Sequence, residues 1–462
     1  MTTQPPETDL SRLAGLLEGD VVRPEDDTWQ AARLAWNLAV DQRPVAVVYP
    51  ESPGDMAAIV AFARACGLRV AFNGGGHNAG PIRWDDRALL VKTERMRGVE
   101  IDSAAATARV AAGTLADELA AAAGAHGLAY LAGTSPDVGV VGYMLGGGIS
   151  WMVRKFGLAA NSVTAVELVT ADGTLLRTDK EHEPDLFWAV RGGGGNFGAV
   201  VALECRLYPV EEIYAGCLFW PIERAVEILT AWRSWIETVP EECSSLGRLL
   251  KLPDLPFIPE HLRSRAFVMV EPAFLGSEED GAALVQPLRD LGPEFDTVAT
   301  MRTAELSRVN MDPAEPVPYY GEGIHLHASD SDCIEKLVEV VTSTSLMHAE
   351  VRHLGGAAAR SAPGNGALDR IEAPFTTLTF GLAVDAEMKA EMERHLTRLH
   401  DELAPWDSGR RYLNFAESPM DVERVFPPES YDRLCALKHR YDPAHLFLAN
   451  HPLRAAAPAS TS

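Results

Sequence analysis

The sequence predicts an α+β protein in two parts, the first rich in glycine turns and the second built round one antiparallel sheet covered by helices. Three observations carry this. A short β-α-β unit lies near the start: Pro44–Tyr49 is an apolar strand candidate ended by Pro50 and Pro53, residues 55–66 have helical periodicity, and Leu68–Phe72 is a second apolar run. Three glycine clusters follow, at 73–80, 133–148 and 191–198. After about residue 213 the clusters cease, and alternating strand and helix patterns with more aromatic residues take over. The expected divisions are 1–213, 214–400 and a returning segment, 401–462.

In chain order, residues 8–42 read as a helical lead-in with Trp36-Asn37 near its end. Ala88–Lys92, Gly98–Ile101 and Thr107–Ala111 run apolar or alternate, and read as strands. Thr114 is the expected N-cap of an alanine-rich helix over 115–123. Gly133, Gly139, Gly142, Gly146, Gly147 and Gly148 are too many for a stable exposed helix. That stretch is expected to thread backbone past something flat or phosphorylated. Val163–Thr170 is a strand, Asp172-Gly173 a hairpin turn and Leu175–Arg177 its continuation. Asp185–Trp188 leads into the third cluster, and Val200–Tyr208 is a strand.

In the second part, Ala225–Glu237, Glu278–Asp290, Ser329–Thr344 and Asp385–Leu403 read as helices. Arg265–Val270 and Phe375–Val384 read as strands, and His353–Ala358 holds a Gly-Gly pair. Pro253, Pro256 and Pro259 mark a loop, and Met311–Pro318 an irregular loop suited to a surface or channel edge. A last helix, Ser430–Arg440, is stopped by Tyr441-Asp442-Pro443 and expected to pack back onto the first part.

The 462 residues are 47% hydrophobic, enough for a large core and more than one domain. Lys plus Arg is 41 and Asp plus Glu 65, a formal charge of −24. That balance argues against nucleic-acid and anionic-membrane partners and suits action on a small molecule. The six cysteines form no Cys-x-x-Cys pair, so neither zinc nor a disulfide framework is expected. No apolar run reaches membrane-spanning length and Met1–Leu13 has no apolar signal core, so a cytoplasmic protein, monomer or homodimer, is expected. The tail 455–462 is expected to fray.

The stretch Asn73-Gly74-Gly75-Gly76-His77-Asn78-Ala79-Gly80 follows a strand. Its successive N–H groups can cradle phosphate oxygens. His77 there suits a base, a ligand contact or a tether; the ordinary alternative is a satisfied turn histidine. The order is not Gly-x-Gly-x-x-Gly before a helix, so no Rossmann fingerprint is read.

Taken together, several motifs resemble the berberine-bridge-enzyme-like branch of the vanillyl-alcohol-oxidase flavoprotein superfamily. They are 74–78, 133–142, Gly146-Gly147-Gly148, Lys155-Phe156-Gly157-Leu158, Leu186–Arg191 with the following glycines, Asn196-Phe197-Gly198, Tyr412-x-Asn414 and Tyr441-Asp442-Pro443. The resemblance covers nearly the whole chain. It implies a two-subdomain FAD-binding domain of the PCMH type plus a substrate domain with an antiparallel sheet. It implies that His77 bonds the flavin C8-methyl carbon. Ser135 stands where many members have a second, cysteinyl tether, so one bond to FAD is expected. Asn73, where the family usually has Arg, Gly74, Gly75, Gly76, Asn78, Gly80, Gly133, Thr134, Ser135, Gly139, Gly142, Tyr143, Gly146–Gly148, Val200 and Asn414 are the expected cofactor contacts. Val138 aligns with a position that gates oxygen, and a small residue there resembles oxygen-reactive members.

Many members use a tyrosine base where this chain has Phe415. Tyr412 remains, with Glu350, Glu372 and Glu417 as alternatives. In His348-Ala349-Glu350-Val351-Arg352-His353, alternation puts His348, Glu350 and Arg352 on one face. That face is either a proton-handling surface or a solvated strand face. His325 and His327 pose the same choice. Tyr143 is expected beside the cofactor, and Trp151 there or in the core. The resemblance implies an oxidase taking hydride from an alcohol, a sugar or a natural-product ring compound to flavin N5, with O2 as acceptor and H2O2 as product. Alternatives are a flavin-dependent oxygenase acting on a polyketide-like substrate and a catalytically silent flavin-binding protein.

Overall fold

Ser52 starts the first long helix, Pro53–Cys66. Its hydroxyl accepts from the Asp55 N–H at 3.1 Å, and Pro53 fills the first helical position. Gly67 ends it with φ +65. The computed structural model in which this is seen describes residues 9–254, 258, 260–313 and 315–454. Residues 1–8, Pro256, Pro259 and the tail 455–462 lie outside the described residues.

The helix links the parallel strands of a four-stranded sheet. That sheet is β1 (Asp20–Val22), β2 (Ala46–Tyr49), β3 (Arg69–Asn73) and β4 (Ala88–Lys92), in the order β1-β2-β4-β3. β2 and β3 both run parallel to β4, and β1 runs antiparallel to β2. Met56, Ile59 and Val60 of the helix are buried between this sheet and a second one, about 1.5–3 kcal/mol of hydrophobic stabilisation each. The second sheet is wholly antiparallel, in the order β5 (Val99–Asp102), β6 (Thr107–Ala111), β9 (Ala199–Arg206), β7 (Val163–Val169) and β8 (Leu175–Asp179).

Four local expectations change. The lead-in is two short helices, Leu10–Ala14 and Trp29–Ala32, on either side of β1, because Val21 and Val22 pair with β2 and Pro24 follows at once. Thr114 does not cap Ala116–Gly124; its hydroxyl donates to the Gly98 carbonyl, and the Glu118 carboxylate accepts the Leu115 N–H at 2.8 Å instead. The second glycine cluster does contain a helix, Val140–Leu145, stabilised by burial of Val140, Val141, Met144 and Leu145. Pro184–Gly193 is also helical, kinked at Arg191-Gly192.

The third sheet has ten strands, all antiparallel. Its main path takes β14 (Phe295–Asp296), β11 (Leu218–Pro221), β13 (Ala266–Phe274), β12 (Cys243–Lys251), β18 (His348–His353), β19 (Phe375–Leu382) and β16 (Tyr319–Glu322). β10 (Glu212–Ala215), β15 (Ala299–Arg302) and β17 (His325–Leu326) join its flanks. Helices Ala225–Trp235, Ser331–Ser343 and Ala386–Leu403 share a core with Leu249, Val268, Ala349 and Val351 on one face of the sheet. The opposite face, with His348, Glu350 and Arg352, looks towards the glycine turns. Among the described residues no helix is long and apolar enough to cross a membrane.

The final helix, Pro428–Tyr441, brings Lys438 and Asp442 into the interior as an ion pair at 2.7 Å, both at most 1% exposed. Lys438 also donates to the Asn196 carbonyl at 2.7 Å. The Asp442 carboxylate accepts from the Leu446 and Phe447 N–H groups at 2.8 and 3.0 Å. This holds the chain end on β3, where Val70 exchanges backbone hydrogen bonds with Leu446 and Leu448. Asp442→Ala leaves the Lys438 charge buried alone and should destabilise by about 3–5 kcal/mol in a denaturant titration. A change below about 0.5 kcal/mol, the size of an ordinary surface substitution, contradicts this role.

Candidate active site

One elongated cavity runs between the glycine turns and the polar face of the third sheet, and the chain's last segment closes it. Residues Asn73–Ala79, Gly133–Ser135, Val138–Tyr143, Gly146, Gly193–Asn196, Gly198 and Val200 form one wall. The first two turns meet backbone to backbone: a Cβ at Gly139 would lie 2.2 Å from the Gly74 carbonyl oxygen. Gly76 has φ +90, and a Cβ there would lie 2.9 Å from the Trp36 nitrogen.

His77 sits in a cage. The Trp36 ring stacks on it with centroids 4.2 Å apart and planes 19° apart. The Trp36 indole N–H donates to one oxygen of Asp137. The other oxygen is 3.1 Å from His77 Nε2, within ion-pair distance but off the angle of a good hydrogen bond. Burial pushes the Asp137 carboxyl up, but the opposing His77 and Trp36 contacts prevail and its pKa is lowered. The Tyr319 hydroxyl donates to the His77 carbonyl at 3.2 Å.

Across the cavity the sheet carries a buried layer of charge. Arg352 Nε donates to Glu350 at 2.6 Å, His348 Nε2 is 3.3 Å from the other Glu350 oxygen, and Arg352 also reaches the Thr134 hydroxyl at 3.3 Å. Behind them Arg248 pairs with Glu271 at 2.6 Å, the two being 2% and 0% exposed. Arg248 also donates to the Asn310 side-chain oxygen, Asn310 donates to Asp312, and Ser135 donates to Asp312. Burial alone pushes the Glu350 carboxyl up, but Arg352 and His348 outweigh it and hold the pKa at about 2. Glu271, buried with a weaker net counterweight, is pushed up to about 7.

Glu417 is different. Burial pushes its carboxyl up to about 8. One oxygen accepts from the Tyr319 hydroxyl at 2.9 Å, and the other has no hydrogen-bond partner. His451, 6% exposed, lines the same cavity with neither ring nitrogen hydrogen-bonded, and burial lowers its pKa to about 4.

Residues 44–179 match the family model described as an FAD binding domain. The whole chain is similar to (R)-6-hydroxynicotine oxidase of Paenarthrobacter nicotinovorans: 27% identity, over 94% of this chain and 96% of that protein. The solved 6-hydroxy-D-nicotine oxidase of Arthrobacter nicotinovorans superposes with a TM-score of 0.84 at 24% identity, covering 95% and 98% of the two chains. Berberine bridge enzyme of Eschscholzia californica gives 0.82 at 20% identity, over 97% and 99%. Along its whole length the chain is thus similar to FAD-linked oxidoreductases, and it carries an FAD binding domain at residues 44–179. It is therefore an enzyme, and its cofactor is FAD.

The cavity fits that cofactor. A Cβ added at Gly142, Gly194 or Gly195 would meet nothing within 4 Å, so the backbone there is open to a ligand. Asn73 Nδ2 and both His451 nitrogens are buried on the wall without hydrogen-bond partners. Of the expected contacts, Gly80, Gly147 and Gly148 do not line the cavity. They pack instead against the Glu417 carbonyl, against Leu368 and Tyr412, and against Ala159 and Tyr143.

Tyr412 and Tyr143 line the cavity, yet their hydroxyls are committed. Tyr412 accepts from the Ile149 N–H and Tyr143 donates to the Leu131 carbonyl, each at 3.0 Å. The solvated-face reading of 348–352 fails, since His348, Glu350 and Arg352 are at most 8% exposed. Glu372 is exposed and paired with Arg370, and Trp151 is in the core. Strand β17 ends at Leu326, so His325 is buried and His327 exposed, neither on the wall.

Sequence reasoning missed Trp36, Asp137, Tyr319, Arg248, Glu271, Asp312 and His451. Only Asp137 carried a signal, an acid inside a glycine-rich turn two residues beyond Ser135.

Glu417 sets a pH dependence of stability. The folded state keeps its proton up to about pH 8, whereas the unfolded chain releases it near the ordinary glutamate value of 4.5. Its contribution is full below the unfolded value and lost as pH rises through the folded one. Glu417→Gln should therefore gain stability relative to the natural chain between pH 5 and 8, read from denaturant midpoints. Parallel curves contradict the assignment.

Proposed function

We propose that this enzyme is an oxidase of a neutral ring-bearing organic alcohol, carrying its FAD on His77 through a single covalent bond and passing electrons to O2. The observation that carries the reading is His77, an imidazole fixed in a glycine frame on the cavity wall. Ser135 is no second tether, because a hydroxyl is a poor nucleophile and its proton is engaged by Asp312. Similarity along the whole chain to an oxidase supports the acceptor, as does small Val138 on the wall. Bound FAD supplies the two-electron acceptor for substrate hydride and the place where O2 is reduced.

The protein's own groups set the rest. Phe380, Phe415 and Tyr319 line the cavity with the His348 ring, which stacks on Phe380 at 4.3 Å. The arginines facing them are already paired with carboxylates, so the lining suits a neutral ring rather than an ion. Glu350, held near 2 by Arg352, is a weak base whose part is to keep Arg352 in place. Glu417 takes the substrate proton, with Tyr319 holding the accepting carboxylate; a pKa near the working pH suits that task.

Three outcomes follow. The purified protein should be yellow, and the colour should stay with the precipitate in acid, whereas His77→Ala should release it; colour retained by His77→Ala contradicts the tether. In a substrate screen read by peroxide, kcat should rise through about pH 8 and Glu417→Gln should lower it by about 10²–10⁴. Full activity in that variant moves the base elsewhere. Labelled O2 should appear in peroxide, and label in the organic product favours an oxygenase.

A further inference from the structure

We propose that Asp137, gripped by Trp36, is a positioning residue that holds the His77 imidazole in the orientation and tautomer from which it bonds the flavin. This rests on the reading of His77 as the tether. Two contacts bear on the ring itself, and a third holds its backbone. Trp36 stacks on one face of it at 4.2 Å. Asp137 lies 3.1 Å from its Nε2 edge, and Tyr319 holds its main-chain carbonyl. The Trp36 indole N–H donates to the second Asp137 oxygen, so the stacking ring and the carboxylate brace each other. The first Asp137 oxygen and His77 Nε2 are buried with no other partner, so each has only the other to satisfy it.

The chemistry gives this arrangement a purpose. A carboxylate only accepts hydrogen bonds, so beside Asp137 the imidazole proton belongs on Nε2. The Nδ1 lone pair is then free to attack. A C–N bond forms between that nitrogen and the flavin C8-methyl carbon, one methyl C–H breaks, and the ring gains positive charge. Asp137 stabilises that charge, and the Nε2 proton leaves. The two electrons released reduce the flavin, and O2 takes them up with two protons as H2O2. A carboxylate that orients an imidazole and offsets its growing charge has a known large effect, up to about 10⁴ in rate for a triad aspartate.

The arrangement also explains two sequence features. Trp36 stands 101 residues before Asp137, outside any glycine cluster. Gly76 has no Cβ, and that lets the Trp36 backbone approach the turn that carries His77. Asn73 opens that turn, and its side-chain oxygen accepts the Gly75 N–H at 2.9 Å.

The test uses full-length protein made under flavin limitation and then mixed with FAD. Covalent incorporation is followed as flavin retained after acid precipitation, and non-covalent binding as quenching of FAD fluorescence. Asp137→Ala should bind FAD but incorporate it at least about tenfold more slowly. Asp137→Asn, which keeps the shape and the Trp36 contact but not the charge, should fall between. Trp36→Phe, which keeps the stack and loses the indole donor, should also be slowed. Incorporation at the natural rate in Asp137→Ala overturns the proposal. If that variant does not fold, Asp137→Asn decides: slowed incorporation supports the proposal and an unchanged rate overturns it. Covalent flavin in His77→Ala is a separate outcome, which removes the tether reading itself.

Discussion

The wall and the cover of this cavity are closer together than a side chain allows. A Cβ at Gly146 would lie 1.8 Å from the Asn414 side-chain oxygen. Because that Cβ is missing, the Asn414 amide can enter the second glycine turn and donate to the Tyr143 carbonyl at 3.0 Å and to the Tyr412 hydroxyl at 3.1 Å. Tyr412 in turn accepts from the Ile149 N–H. Asn78 of the first turn donates to the Leu413 carbonyl at 2.9 Å, and Asn450 donates to the Asn78 carbonyl. The returning segment is thus stitched to both turns, and that stitching sets the width of the slot facing the third sheet. Every later feature, from the cage round His77 to the placing of Glu417, depends on that spacing.

The far side of the slot is held by charge. Arg248–Glu271 and Arg352–Glu350 are buried pairs on neighbouring strands, with Arg248 and Glu350 directly opposite in register. Such pairs contribute little net stability, because desolvation offsets their attraction. Their effect is on geometry and proton affinity. Glu350 is held near 2, while Glu271 is pushed to about 7 and Glu417 to about 8. Carboxyls in one region with widely separated affinities divide into fixed counter-ions and proton carriers.

Much of this was legible in the sequence wherever the signal was local. The helix read over 55–66, the strands at 88–92 and 107–111 and the alternation of His348, Glu350 and Arg352 follow from helical periodicity, apolar runs and period-two patterning. Strand β12 was not legible: Gly247 and Arg248 interrupt its apolar pattern, and only tertiary contacts explain them. Gly247 makes room for Leu229 and Trp232, and Arg248 turns to Glu271. Thr114 had the chemistry of a cap and was taken by Gly98. Trp36, Tyr319 and His451 reach the site from distant parts of the chain, so no spacing rule finds them. Burial of the charged face was likewise invisible, because a polar strand reads the same in solvent and under a cofactor.

The central claim is that one imidazole in a glycine frame carries the flavin across this slot. It is tested most directly by digesting the denatured protein and locating the flavin by fluorescence and peptide mass. The account predicts a single flavin-bearing peptide, containing Gly74 to Gly80 with the modification on His77. Flavin on any other peptide, or none left on the chain, contradicts it.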